Sequence, residues 1–185
     1  MASQPPRPTE AFERECLPWL ADVRAFALAL TRRPADADDL AQETFLKALR
    51  AFSTFQPGSN AKAWLFTVAR RLHIDRHRRA QVRPQPLAEQ PLEESGLDPA
   101  GGAGPGEAST PPGGWSRFTP EQVRAAIEAV PEPFRIAVVL RDLHGLAYDE
   151  VAEVLDVAPG TVMSRLHRGR ECVRRHLVSL LDTGR

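Results

Sequence analysis

The chain has 185 residues, 42% of them hydrophobic, with 24 Lys/Arg against 24 Asp/Glu and two cysteines. That length holds one or two small domains, and Cys16 and Cys172, far apart and without CxxC spacing, indicate neither a disulfide framework nor a zinc site. No run of about 18 apolar residues offers membrane insertion, and the opening MASQPPRPTEAFERE lacks the apolar core of a signal peptide, so a cytoplasmic protein is expected.

Neutrality conceals a partition. Residues 1–79 carry 13 Lys/Arg and 9 Asp/Glu, residues 80–118 carry 2 and 5, and residues 119–185 carry 9 and 10. After a flexible N-terminus over 1–9, helical periodicity runs through a first domain, 10–82. DADDLAQETFLKALRAF, 36–52, opens with acids where a helix N-terminus favours negative charge. Its spacing buries Ala41, Phe45, Ala48, Leu49 and Phe52, leaving Glu43, Thr44, Lys47 and Arg50 outside.

FQPGSNAKAWLFTVARRLHIDRHRR, 55–79, reads as a Pro-Gly turn leading into a helix with Trp64, Leu65, Val68 and Leu72 inward. Its arginines, Arg70, Arg71, Arg76, Arg78 and Arg79, complement the helix dipole and serve solubility on one reading. On the other, aromatics beside a basic helix and a polar loop hold single-stranded nucleic acid. Trp64 suits the core better than a stacking platform. His73 and His77 have metal-like i,i+4 spacing, but without HExxH and among arginines that repel a cation no metal is expected, and Asp75 is expected to pair with those arginines.

Residues 83–118 hold the chain's densest Pro and Gly, with seven of each from 84 onward, so neither helix nor strand can persist there and a flexible linker is expected. Helical periodicity resumes over 119–185. In GLAYDEVAEVLDVAPGTVMSRLHRGR, Leu146, Val151, Val154 and Leu155 form one apolar face, Asp156 to Gly160 break the helix, and Pro159 sets φ before the next. The following helix sorts Val162, Leu166, Gly169, Val173 and Leu177 to one side, with the glycine marking a close approach. Thr161, Ser164, Arg165, Arg168, Cys172 and Arg175 take the other side, and Arg170 and Arg174 a flank. Solvated faces usually mix signs, whereas five arginines here meet the single acid Glu171. A DNA-reading helix-turn-helix accounts for that bias; a plain helical hairpin is the alternative.

These strings together resemble the extracytoplasmic-function (ECF) sigma factors, the compact two-domain branch of bacterial sigma factors. DADDLAQETFLKALRAF, NAKAWLFTVARRLHIDRHRR, VPEPFRIAVVLRDLHGLAYDEVAEVLDV and GTVMSRLHRGR occur in the family's order, and the likeness covers nearly everything but 1–9 and 83–118. The resemblance implies an all-α fold: two small helical domains, region 2-like and region 4-like, joined by a flexible Pro/Gly-rich linker, the second a helix-turn-helix. It implies an alternative sigma factor that binds core RNA polymerase at its clamp helices and flap, recognises the −10 and −35 elements of promoter DNA and directs initiation. Asp36, Asp39, Gln42, Glu43 and Leu46 would face the polymerase. Gln56, Ser59, Asn60, Lys62, Arg70, Arg71, Arg76, Arg78 and Arg79 would serve −10 DNA, with Asn60 receiving an extruded base. Thr161, Ser164, Arg165, Arg168, Arg174 and Arg175 would serve −35 DNA. Catalysis would belong to the polymerase, with no cofactor and no small-molecule substrate, and an anti-sigma factor would be a further partner, able to hold the chain at the membrane.

Three positions depart from the family's pattern: Ala147 replaces a capping hydroxyl, Asp156 a glycine, and Met163 a Lys or Arg. The rival reading is a helix-turn-helix regulator acting on an operator without polymerase. Such a protein would normally carry an α/β receiver or ligand pocket upstream, and residues 10–80 read as neither.

Overall fold

A computed structural model describes residues 8–82 and 115–182, and every regular element among them is helical. The first group comprises α1 (Pro8–Cys16), a 3-10 turn (Leu17–Trp19), α2 (Leu20–Thr31), α3 (Pro34–Arg50) and α4 (Ala61–Val82). The second comprises a 3-10 turn (Trp115–Arg117), α5 (Pro120–Glu128), α6 (Glu132–Val138), a π-helical turn (Val139–Leu143), α7 (Tyr148–Leu155) and α8 (Pro159–Asp182). Most of the linker and the residues before 8 lie outside the described segments; Trp115 is already buried, so ordered structure in the second half begins before residue 119.

α2 ends on Arg32, a non-glycine residue in the left-handed region at φ 60°, and Pro34 at the first turn starts α3 with its φ preset. α3 packs against both α2 and α4, so its covered face is wide and includes Ala37, Leu40, Ala41, Thr44 and Ala48. Ala41 and Ala48 are buried as the spacing predicts, and Phe45 and Phe52 lean on the core. Thr44 is fully buried instead of outside, because its hydroxyl donates to the Leu40 carbonyl at 2.7 Å and leaves no bare polar atom. Leu49 is 41% exposed rather than inward. On α4, Leu65, Phe66, Ala69 and Leu72 are buried, and the Phe66 ring lies 4.6 Å from that of Phe26. Trp64 and Val68 are partly buried; Trp64 sits with Phe55 and Phe52 in an aromatic cluster, on the side of packing.

In the second group Thr119 and Gln122 form a reciprocal capping box at the start of α5. The whole stripe Val162, Leu166, Gly169, Val173 and Leu177 is buried against α5, α6 and α7. A Cβ at Gly169 would stand 2.6 Å from Val138 Cγ2 and 2.9 Å from the Phe134 carbonyl oxygen, so the glycine is what lets α6 cross so closely. α7 buries Leu146, Val151, Val154 and Leu155 at or beside it, and Asp156 adopts φ 51°, ψ 52° where the chain turns into α8. The two groups touch: α4 packs on α7, and α2 on α6 and the π turn.

Candidate nucleic-acid interface

The loop before α4 is a β-turn with Pro57 and Gly58 in its centre. Ser59 N–H donates to the Gln56 carbonyl at 3.0 Å, and Gly58 at φ 85° supplies the positive φ that a type II turn demands. Asn60 follows, and its Oδ1 accepts the N–H groups of Lys62 (3.1 Å) and Ala63 (3.3 Å), capping α4. Gln56, Ser59 and Asn60 are all exposed, so the turn projects three polar side chains from one rigid corner. Farther along α4, Arg71, Arg78 and Arg79 are exposed while Arg70 and Arg76 are half-buried. Arg76 turns toward α3 and grips Glu43 through Nη2 (2.5 Å) and Nε (3.0 Å) rather than answering Asp75. One polymerase-facing candidate thus pairs with one −10 candidate. Of the others on α3, Asp39, Gln42 and Leu46 are exposed, and Asp36 is half-buried beside Arg33.

His73 and His77 stack edge to face with ring centroids 4.6 Å apart. Burial first, then the neighbouring His77, hold His73 below the ordinary imidazole value. No cluster of three metal-ligating side chains occurs among the described residues.

On α8 the five arginines have separate fates. Ser164 and Arg168 are exposed, and Thr161 and Arg165 half-exposed, along the first two turns. Arg168 lies over the Phe134 ring at 5.8 Å. Arg170 is anchored: Nε and Nη2 grip both oxygens of Asp142 at 2.9 and 2.6 Å, a carboxylate whose side chain is only 3% exposed. That bidentate bond raises the Arg170 pKa and ties α8 to the π turn. Arg174 forks onto Glu171, but this is a surface pair of small energetic weight. Arg175 donates to Cys172 Sγ at 3.2 Å. The segment therefore presents a short outward face at its start and two more arginines near its far end.

The departures from the family's pattern acquire local explanations. Ala147 has no side-chain acceptor, yet Glu150 Oε2 accepts its N–H at 2.7 Å, keeping one half of a capping box. Asp156 simply adopts the left-handed conformation at the α7 terminus, a cost Gly would avoid. Met163 is 48% exposed on the turn that carries Ser164.

Sequence reasoning did not single out Asp22, Asp142, Arg135, His144 or Glu150. Burial alone would raise the Asp22 pKa, but hydrogen bonds from Lys62 and His144 outweigh it and hold the carboxyl below its usual range. His144, packed edge-on against Phe66 and Phe26, is pushed below the ordinary imidazole value chiefly by burial, against the opposing pull of the Asp22 carboxylate 3.0 Å away. Arg135, 2% exposed, donates to the Val130 carbonyl at 3.1 Å and twice to the Ala29 carbonyl at 3.2 and 3.3 Å. Each is an isolated polar residue without periodic partners, so spacing gives no signal for it.

Comparison with known proteins places both helical groups. Residues 17–83 match the family model for Sigma-70 region 2, and residues 121–173 match that for Sigma-70 region 4. The chain is 33% identical over 162 residues to the ECF RNA polymerase sigma factor EcfG of Rhodopseudomonas palustris, covering 88% of this chain and 82% of that one. It is 34% identical over 150 residues to the ECF RNA polymerase sigma-E factor of Escherichia coli, covering 79% and 76%. Among solved structures, the sigma factor RpoE of Bartonella quintana, in complex with the anti-sigma factor NepR, matches with a TM-score of 0.65 at 27% identity, over 90% of this chain and 96% of that one. With two region matches in order and relatives above 30% identical over most of their length, the chain belongs to the ECF RNA polymerase sigma factors.

Proposed function

We propose that the chain acts as a non-enzymatic initiation factor that binds core RNA polymerase, recognises the −10 and −35 promoter elements and is held in check by an anti-sigma factor in the cytoplasm. The observation that carries it is the pairing of two distinct nucleic-acid elements on one family scaffold: the rigid Gln56–Asn60 corner beside a basic helix, and the outward arginine face of α8. A projecting polar corner suits capture of an unstacked base, and arginines at the start of a helix suit guanine edges and phosphates in a major groove. Asp39, Gln42 and Leu46 give α3 a mixed acidic and apolar outer surface for polymerase, with Leu46 57% exposed. No helix among the described residues is long and apolar enough to cross a membrane.

The test is permanganate-detected promoter opening with and without core polymerase. Opening is expected only with core, and Asp39→Lys should weaken core binding without loss of helicity. Opening by the chain alone, or no binding to core, would refute the reading.

A further inference from the structure

Residues assigned above to −10 DNA are engaged elsewhere in the folded chain. Asn60 Nδ2 donates to Glu150 Oε1 on α7 at 2.7 Å. Lys62 Nζ donates to the His144 backbone carbonyl at 3.0 Å and lies 2.8 Å from Asp22 Oδ1, leaving its side chain 13% exposed. His144 Nδ1 lies 3.0 Å from the same Asp22 oxygen, closing the seam from the second group. A lysine so enclosed cannot reach a phosphate, and an amide donor given to a carboxylate is not offered to a base. α4, which carries Arg70, packs on α7, and α7 packs on α8, so the two nucleic-acid elements lie on neighbouring helices. Promoter elements one and a half to two duplex turns apart would instead require them about 50–70 Å apart.

We infer that the packing of the second helical group on α4 is an autoinhibitory contact, in which Glu150 and the His144 carbonyl occupy donors of Asn60 and Lys62 until the chain opens. The inference rests on the proposed function only in assigning Asn60 and Lys62 to DNA. Glu150 presents to Asn60 the kind of oxygen acceptor that a base edge or phosphate would present, so the closed chain is its own competitor. A ligand that binds only the open form has its apparent affinity reduced by the open fraction; a chain closed for about 90–99% of the time therefore binds about 10–100-fold more weakly than an open one.

The full-length chain is compared with Asp22→Ala/Glu150→Ala. The charge control is Glu13→Ala/Glu128→Ala, the same change at two exposed sites. Small-angle scattering reads extension, circular dichroism reads helicity, and fluorescence anisotropy reads binding of a labelled single-stranded 12-mer of randomised sequence. The seam variant should be more extended and bind the strand about tenfold or more tightly than wild type, the control should do neither, and Asn60→Ala in the opened background should remove much of the gain. If helicity is lost, Asp22→Ala alone, which leaves the Glu150 cap on the Ala147 N–H in place, takes its place with the same direction of change. A wild-type chain already as extended as the variant, or an extended variant with no gain over the control, overturns the inference. Promoter opening by Asn60→Ala holoenzyme separates the two readings: wild-type opening there refutes the role given to Asn60, whereas defective opening with no affinity gain on extension refutes only the latch.

Discussion

At Asn60 one amide serves two ends, its oxygen capping α4 and its nitrogen facing Glu150. Losing a cap costs about 1 kcal/mol, and serine caps about as well as asparagine. Asn60→Ala should therefore melt lower than wild type by an amount equivalent to about 1 kcal/mol, and Asn60→Ser within about 0.5 kcal/mol of it. Both should impair promoter opening, because both lose the amide donor. Full opening by the serine variant would reduce Asn60 to a cap. Along α8, Arg168 shares the early turns with Ser164, whereas Arg174 sits late, on a surface pair that DNA phosphate can displace. Losing a base contact costs about 1–3 kcal/mol at one position, while losing a phosphate contact weakens every sequence alike and lowers the salt slope by about one unit. Arg168→Ala should flatten the −35 preference and Arg174→Ala should not, as measured on all single-base variants of a −35 site at two salt concentrations.

Between elements, a close approach at Gly169 is legible in the sequence but not the helix that makes it, and the exposure pattern of α3 is legible only in part. Gly169 fell on the apolar stripe of α8, and a lone small residue on such a stripe marks close approach. Gly169→Ala gains up to about 1 kcal/mol of helix propensity, but its methyl meets Val138 and the Phe134 carbonyl below 3 Å. Overpacking of that kind costs about 1–3 kcal/mol, and since one of the two neighbours is backbone the net change should be destabilising in thermal denaturation, with a smaller loss if Val138→Ala is added. On α3 the period of the helix places Ala41 and Ala48 correctly, but packing against both α2 and α4 widens the covered face to include Thr44, while Leu49 stays exposed. Helical spacing marks Arg170 only as a flank residue of a positive face. Its buried acceptor Asp142 lies 28 positions away on an irregular turn, beyond any helical repeat.

For the molecule as a whole, the helix-turn-helix and the division into two helical groups were legible in hydrophobic spacing, but their closure was not. Asn60 and Glu150 are 90 positions apart and Asp22 and His144 are 122 apart, joined by single polar contacts that leave no periodic trace. Folding buries titratable groups, and the sign of stability with pH follows. His73 and His144 are both held below the usual imidazole value, burial being the first cause in each. Above the ordinary histidine range both are neutral folded or unfolded, and neither affects stability. As pH falls through that range the unfolded chain takes up protons that the folded chain refuses, so stability declines. The melting temperature should fall between about pH 7.5 and 5.5, and His144→Asn, which retains a donor for Asp22, should make the fall shallower. An equal slope in the variant would remove His144 from the account. The seam also bears on solubility. A surface that must be dry in one state and wet in another cannot be faced with leucine, since the parted halves would adhere to their neighbours. Arg135 avoids this, because the Ala29 carbonyl that accepts from its guanidinium across the seam can be exchanged for water when the halves separate, while the Val130 carbonyl of its own group stays bound. At Arg135 the joint therefore comes apart without leaving a bare guanidinium, whereas the Phe26 and Phe66 rings on which His144 packs are uncovered.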